Sequence, residues 1–257
     1  GLDEAQAAAK EAGMAFVRGC ELSARCALGS VHVLGLWLPR GKERLAGLER
    51  VLAQERASRL ERNRAMVGRF NDLGIDMAYG EVEALAGDAV IGRPHFAALL
   101  LRKGVVSHIK EAFQKYLKKG GAAYVERRQM GPEQAVDVLR DCGALVALAH
   151  PGLIRCAPEE LDALTASLKE HGLDAVEAFH SAQDCRTVGR ILDLARSCGL
   201  AVTGGSDFHG ACKPDIRLGH VLCGSDGGSR IGRDVYDALK QLRKKRQAAR
   251  RDGAAGA

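Results

Sequence analysis

The residues of this chain best equipped for chemistry lie near its C-terminal end, in Gly204-Gly205-Ser206-Asp207-Phe208-His209. The stretch follows a short apolar run, Leu200 to Thr203, that reads as a strand, and the two glycines are expected to let the backbone turn sharply at its end. Asp207 and His209 stand two apart, so in extended backbone they point the same way. A carboxylate and an imidazole converging on one spot suit a borderline divalent metal such as Mn, Fe or Zn. Alone, D-x-H is a weak signal, since a capping Asp and a surface His are a commoner outcome. It gains weight because His150, in Ala149-His150-Pro151-Gly152, also follows an apolar run, and Glu21 follows the short run Ala15 to Val17 in the same manner. His32 lies early in the apolar segment Val31 to Leu38. Glu177 and His180 fall in and after another such run and rank below the others, while His108, His171 and His220 show no partner signal.

The elements that must hold these groups follow from the pattern. Beyond Pro132, helix and strand alternate: a helix from Glu133 to Asp141, a strand from Ala144 to Ala149, a helix from Glu159 to Glu170. The strand Ala175 to Phe179, a helix from Thr187 to Ser197 and the strand before Gly204 complete the series. Such alternation argues for parallel strands joined by right-handed crossovers, with chemistry at their C-terminal ends. Between Lys42 and about Tyr124 strand-like runs vanish. Charged segments with helical apolar spacing (Leu45, Leu48, Leu52, then Leu60, Val67, Phe70) replace them, and two or three shorter helices follow. Inside this stretch Arg59 to Arg64 and Arg93-Pro94-His95 gather fork-shaped donors suited to phosphate, although spacing alone fits a solvated helix face equally well.

Composition bounds the rest. With 257 residues, 46% of them hydrophobic, the chain can bury a substantial core. It has no apolar run long enough for a membrane helix and no charged-then-apolar start. Its eight cysteines show no C-x-x-C spacing and fall in apolar or helical segments, which suits reduced, buried thiols in a cytoplasm. The net charge of +6 belongs to residues 240–257, the remainder being balanced. Such a tail can hold a polyanion, but a terminal charge run is more often solvated and mobile.

Taken together, these segments resemble the PHP (polymerase and histidinol phosphatase) phosphoesterases, in the branch of bacterial nucleoside 3′,5′-bisphosphate phosphatases and 5′-to-3′ exoribonucleases. The resemblance rests on Arg18 to Ser23, Val31 to Leu36, Arg59 to Arg64, Arg93 to Ala97, Phe113 to Leu117, Ala149 to Gly152 and Gly205 to His209, in the expected order. It implies metal ligation by Glu21, His32, His150, Asp207 and His209. It also implies substrate phosphate binding by Arg62, Asn63, Arg64 and Arg93, with His95 and Lys115 as weaker members and His209 shared between both roles. The implied fold is α/β, a distorted (βα)7 PHP barrel lacking its first units. In that reading residues 1–42 and 125–232 form the barrel, 43–124 a helical insertion and 233–257 a basic C-terminal helix or tail. The family's D-L-H-x-H, S-D-G and T-D-H-D stretches have no counterpart here, and Leu153 stands where the family has an arginine, Arg155 lying two residues on.

The implied activity is metal-assisted hydrolysis with two or three divalent ions, Mn first, and no covalent protein nucleophile. The expected substrate is the 3′-phosphate of nucleoside 3′,5′-bisphosphates and short RNA from its 5′ end. No membrane and no obligate protein partner are implied, and a cytoplasmic location is expected. Two alternatives stay open. One is a phosphatase of other small phosphomonoesters, as in the histidinol phosphatase branch. The other is a catalytically incomplete nucleic-acid-binding fragment, against which the 4% aromatic content counts.

Overall fold

The computed structural model describes residues 1–87, 89–210 and 213–255, with side chains placed through residue 249. Cys212 and the side chains of Arg250 and Arg251 in the basic tail lie outside the described residues. Contacts divide the chain into two compact units, Gly1–Glu49 with Met130–Ala257, and Arg50–Gln129.

The first unit carries a five-stranded sheet in the order β1 (Gly19–Cys26), β2 (Gly29–Leu36), β3 (Leu145–Leu148), β4 (Ala175–His180), β5 (Ala201–Gly205). β1 and β2 form an antiparallel hairpin and β2 runs antiparallel to β3, whereas β3, β4 and β5 are parallel. The parallel expectation, made for the strands beyond Pro132, holds for β3 to β5, and the two earlier strands add an antiparallel hairpin. No strand covers Ala15 to Val17; Glu21 lies inside β1, not after a strand. The cause is legible afterwards: β1 alternates, with Leu22 and Ala24 buried and Glu21, Ser23 and Arg25 outward, so it lacks the continuous apolar run of a strand covered on both faces. β3 and β4, buried throughout, have that run.

Helices cover the sheet. After α1 (Leu2–Glu11), the helix α6 (Pro132–Asp141) buries Ala135, Val136 and Leu139. Gly35 of β2 admits it closely, since a Cβ there would meet Leu139 Cδ2 at 2.5 Å. α7 (Pro158–Glu170) and α8 (Cys185–Ser197) form the crossovers. Val188 of α8, with Val235 and Leu239 of α9 (Arg233–Ala255), packs into one cluster with Leu145, Ala147, Ala175 and Phe179. The first half of α9 is thus seated on the sheet, its apolar positions Val235, Leu239 and Leu242 repeating at helical spacing on the buried side. Cys185 and Cys223 form a disulfide, their Cα atoms 5.2 Å apart. The expectation of thiols only is corrected there, because a pair 38 residues apart leaves no local spacing signal.

The second unit is helical. The later part of α2 (Lys42–Asp72), with α3 (Tyr79–Ala86), α4 (Arg93–Arg102), α5 (Ile109–Ala112) and a π-helical turn at Phe113–Leu117, surrounds Met66, Phe70, Phe96 and Leu100. Phe70 stacks on Phe96 with centroids 6.3 Å apart.

Candidate metal centre and phosphate-binding residues

The hairpin places the first two candidate ligands. Glu21 pairs with Leu34, and Ser23 with His32, so Glu21 and His32 are diagonal neighbours on one face. The third candidate, His150, follows β3, whose last residue Leu148 pairs with Val33, and Ala149 N–H donates to the His32 carbonyl at 3.0 Å. Glu21 Oε1 then lies 2.6 Å from His32 Nδ1 and 3.2 Å from His150 Nε2. The two imidazole nitrogens are 3.3 Å apart. Donors about 2.1 Å from a shared ion stand roughly 3.0–3.4 Å from one another, so this trio of one carboxylate oxygen and two ring nitrogens fits a borderline divalent cation. Hydrogen bonds from His150 and then His32 hold the Glu21 carboxyl well below the usual carboxylate range, so it is ionised.

His150 occupies left-handed backbone, φ 29°, and so does Asp207 at φ 52°. For side chains with a Cβ this is strained backbone, of the kind held at functional positions by the structure around it. Here the holding groups can be named. Glu177 Oε2 accepts the His150 N–H at 2.9 Å. Gln183 Oε1 accepts the Gly152 N–H at 2.8 Å, while its amide donates to the Glu177 and Ala178 carbonyls at 3.1 and 2.6 Å. Burial pushes the Glu177 carboxyl up to about 8, with Glu21 and Asp207 adding repulsion against the accepted backbone bond.

His180 ends β4 at the same place, its ring centroid 5.1 Å from that of His150. Its Nδ1 accepts the Ala182 N–H at 3.1 Å, so the neutral ring carries its proton on Nε2. Among the described residues that buried Nε2 has no hydrogen-bond partner, and it lies 3.9 Å from Asp207 Oδ2. Burial, then the neighbouring His150, pushes the ring down to about 4 and keeps it neutral.

Asp207 adjoins the trio through His180 and Glu177 and is not in the three-atom cluster. Lys213 Nζ sits 2.5 Å from its Oδ2. His209 Nδ1 is 2.8 Å from the Asp207 carbonyl oxygen and its side chain is half exposed. The glycines before them do not supply a left-handed turn, since neither has positive φ. They supply closeness, as a Cβ on Gly204 would meet the Phe179 carbonyl oxygen at 2.7 Å and one on Gly205 would meet Glu177 Oε1 at 3.0 Å.

In the helical unit Arg62, Asn63, Met66 and Phe70 share the inner side of α2 through i, i+4 spacing, which buries two polar groups. Among the described residues Arg62 Nε and Asn63 Oδ1 have no hydrogen-bond partner, while Asn63 Nδ2 donates to Ile91 O at 3.3 Å. Burial, then the like charges of Arg93, Arg59 and Arg127, pushes Arg62 down to about 10. Arg93 Nη1 donates to Leu117 O at 3.2 Å and its guanidinium lies over Tyr124, 6.0 Å from the centroid. Arg64 stacks on Tyr79. The other two candidates have local work: His95 Nδ1 accepts the Gly92 N–H at the start of α4, and Lys115 pairs with Glu111 at 2.6 Å.

Of the site groups, Gln183 and Lys213 escaped the sequence reading altogether. For Gln183 the signal was a polar residue just beyond a fully buried strand; for Lys213, six residues past Asp207, there was none.

A donor trio of one carboxylate and two imidazoles at one end of the sheet is a candidate divalent-metal site, and known proteins of similar sequence supply the chemistry. No family model matches the chain. It is 31% identical to the 5′-3′ exoribonuclease Rnm of Escherichia coli over 207 residues, covering 80% of this chain and 69% of that one. It is 30% identical to the 3′,5′-nucleoside bisphosphate phosphatase of Chromobacterium violaceum, covering 86% and 77%. A structure from Bifidobacterium adolescentis assigned to the metal-dependent phosphoesterases superposes with TM-score 0.69 at 29% identity, over 93% of this chain and 80% of that one. The chain belongs to this family of PHP-type phosphoesterases and is a metal-dependent phosphoric ester hydrolase.

Proposed function

We propose that the chain hydrolyses the 3′-phosphate of nucleoside 3′,5′-bisphosphates and removes nucleotides from the 5′ end of short RNA. The observation that carries the substrate class is the crowding of Arg62 with Arg59, Arg93 and Arg127, a concentration of positive charge that a multiply charged anion relieves. Glu21, His32 and His150 hold the divalent ion, with Asp207 and His209 as further ligands. Mn is the first choice and two or three ions the full complement. A bound ion supplies charge neutralisation at phosphorus and an acidified water.

The chain's own groups do the rest. Glu177 fixes His150 through its backbone, and Gln183 fixes the loop after it. His180 presents its Nε2–H to a phosphate oxygen. Arg62, Asn63, Arg64 and Arg93 hold a substrate phosphate, with His95 and Lys115 in supporting places. In this reading residues 43–124 are a helical insertion and the sheet is part of a distorted seven-stranded barrel. Among the described residues no helix is long and apolar enough to cross a membrane. A cytoplasmic location belongs to the same reading, although the Cys185–Cys223 bridge removes the cysteine argument for it.

The test is phosphate release from adenosine 3′,5′-bisphosphate with added Mn. Turnover abolished by His150→Ala supports the reading. Turnover that survives that change, or equal hydrolysis of an amino-alcohol phosphomonoester, favours a different substrate or site. Salt-sensitive RNA binding unaffected by His150→Ala, with no hydrolysis, favours the non-catalytic alternative.

A further inference from the structure

At the end of the sheet away from the metal centre the first unit contains a cavity of about 890 Å³. Leu145, the first residue of β3, lines it, whereas His150 follows the last. At about 3.3 Å per residue, some 16 Å of extended chain separates the two places. Five arginines face this cavity, Arg18, Arg40, Arg44, Arg243 and Arg246, against a single acid, Asp141. Asp141 is engaged by Arg140 at 2.9 Å.

The positive charge is only partly cancelled. Asp3 pairs with Arg18 at 2.6 Å, and Asp174 pairs with Arg246. Among the described residues no carboxylate lies within ion-pair distance of Arg40, Arg44 or Arg243. Arg18 keeps a buried Nε without a hydrogen-bond partner. A wall this basic selects for an anion with several acceptor oxygens.

The rest of the lining is aromatic and apolar. Trp37, just past β2, is held in left-handed backbone at φ 56°. Arg243 lies over its ring at 5.6 Å, and the Tyr236 ring is tilted against it with centroids 6.2 Å apart. Phe16, Leu38 and Pro39 continue the apolar floor. A strained tryptophan on such a floor, beside arginines, matches a ligand with a flat heterocycle at one end and a phosphate at the other.

We infer that this cavity is a second nucleotide site, binding a nucleoside monophosphate with its base against Trp37 and its phosphate on Arg40 and Arg44. It is separate from the metal centre and does not rest on the reaction proposed above. Its position at the opposite end of the shared strands β2 and β3 suits a regulatory site.

Trp37 is the single tryptophan of the chain, so its emission reports the cavity directly. The experiment is titration with AMP in EDTA, exciting on the red edge of indole absorption, where adenine does not absorb. The expected result is saturable quenching. It is retained in His150→Ala and at least about tenfold weaker in the Arg40→Ser/Arg44→Ser double variant. Both arginines are exposed and unpaired, so that variant keeps its fold, which circular dichroism checks. No saturable change, a change equal in the double variant, or a change lost in His150→Ala overturns the proposal.

Discussion

Glu177 Oε2 accepts the backbone N–H of His150 at 2.9 Å, so a buried carboxyl grips the main chain of a metal-ligand candidate while its imidazole faces Glu21 and His32. The bond holds His150 in its left-handed conformation from behind. Glu177→Ala is expected to weaken Mn binding by about 10–100-fold, the usual cost of losing a group that orients a ligand. Glu177→Gln keeps an acceptor oxygen and is expected to lose much less. Calorimetric titration with Mn separates the two.

His180 is expected to act on substrate and not on metal. With its Nδ1 occupied by Ala182 N–H, the ring offers only a donor. His180→Ala should lower kcat by about 10²–10³-fold, the scale for removing one donor to a developing charge. Mn affinity should stay within a few-fold. An equal loss in Mn affinity and kcat would make it a ligand.

Arg62 sits among like charges, and burial already disfavours its charged form. Arg62→Ala should therefore raise KM for a nucleoside bisphosphate by roughly 10–100-fold, the value of one charge-assisted hydrogen bond. Its melting temperature should hold or rise. Steady-state kinetics with a thermal melt tests both halves, and a destabilised variant with unchanged KM would assign Arg62 a structural role.

Gly204→Ala would bring a methyl group to 2.7 Å from the Phe179 carbonyl oxygen, an atom of the neighbouring strand that cannot rotate away. The expected cost is about 1–3 kcal/mol, read from denaturant unfolding. The displaced end of β5 should also carry Asp207 out of place and lower kcat.

Bound metal should stabilise the chain. Mn at about 100 times its Kd contributes about 2.7 kcal/mol, which at roughly 2–4 °C per kcal/mol raises Tm by some 5–10 °C. EDTA should reverse the shift, and His32→Ala should abolish it.

The parts of this molecule visible in the sequence are those with one-dimensional periodicity. The α6–β3, α7–β4 and α8–β5 repeats were legible because β3 and β4 are buried throughout and their helices carry apolar stripes. Their ends exposed His150 and Asp207 as candidates. The strand β2 was legible in its apolar run, whereas β1 was not because one of its faces is polar, which displaced Glu21 to a loop, although it remained a candidate. The pairing of Lys213 with Asp207, the bridge from Gln183 to Gly152 and the disulfide all depend on which loops meet in space, and residue order does not encode that locally. The unpartnered Arg62 Nε likewise becomes visible only once the inner side of α2 is known.

The three converging donors are far apart along the chain: His150 lies 129 residues beyond Glu21 and 118 beyond His32. The hairpin brings together only Glu21 and His32, and two donors make a poor cation trap. During synthesis, which proceeds from the N-terminus, the third donor cannot join until β3 has left the ribosome and paired with β2. Capture of an ion by these three donors, as proposed above, therefore waits on long-range strand pairing.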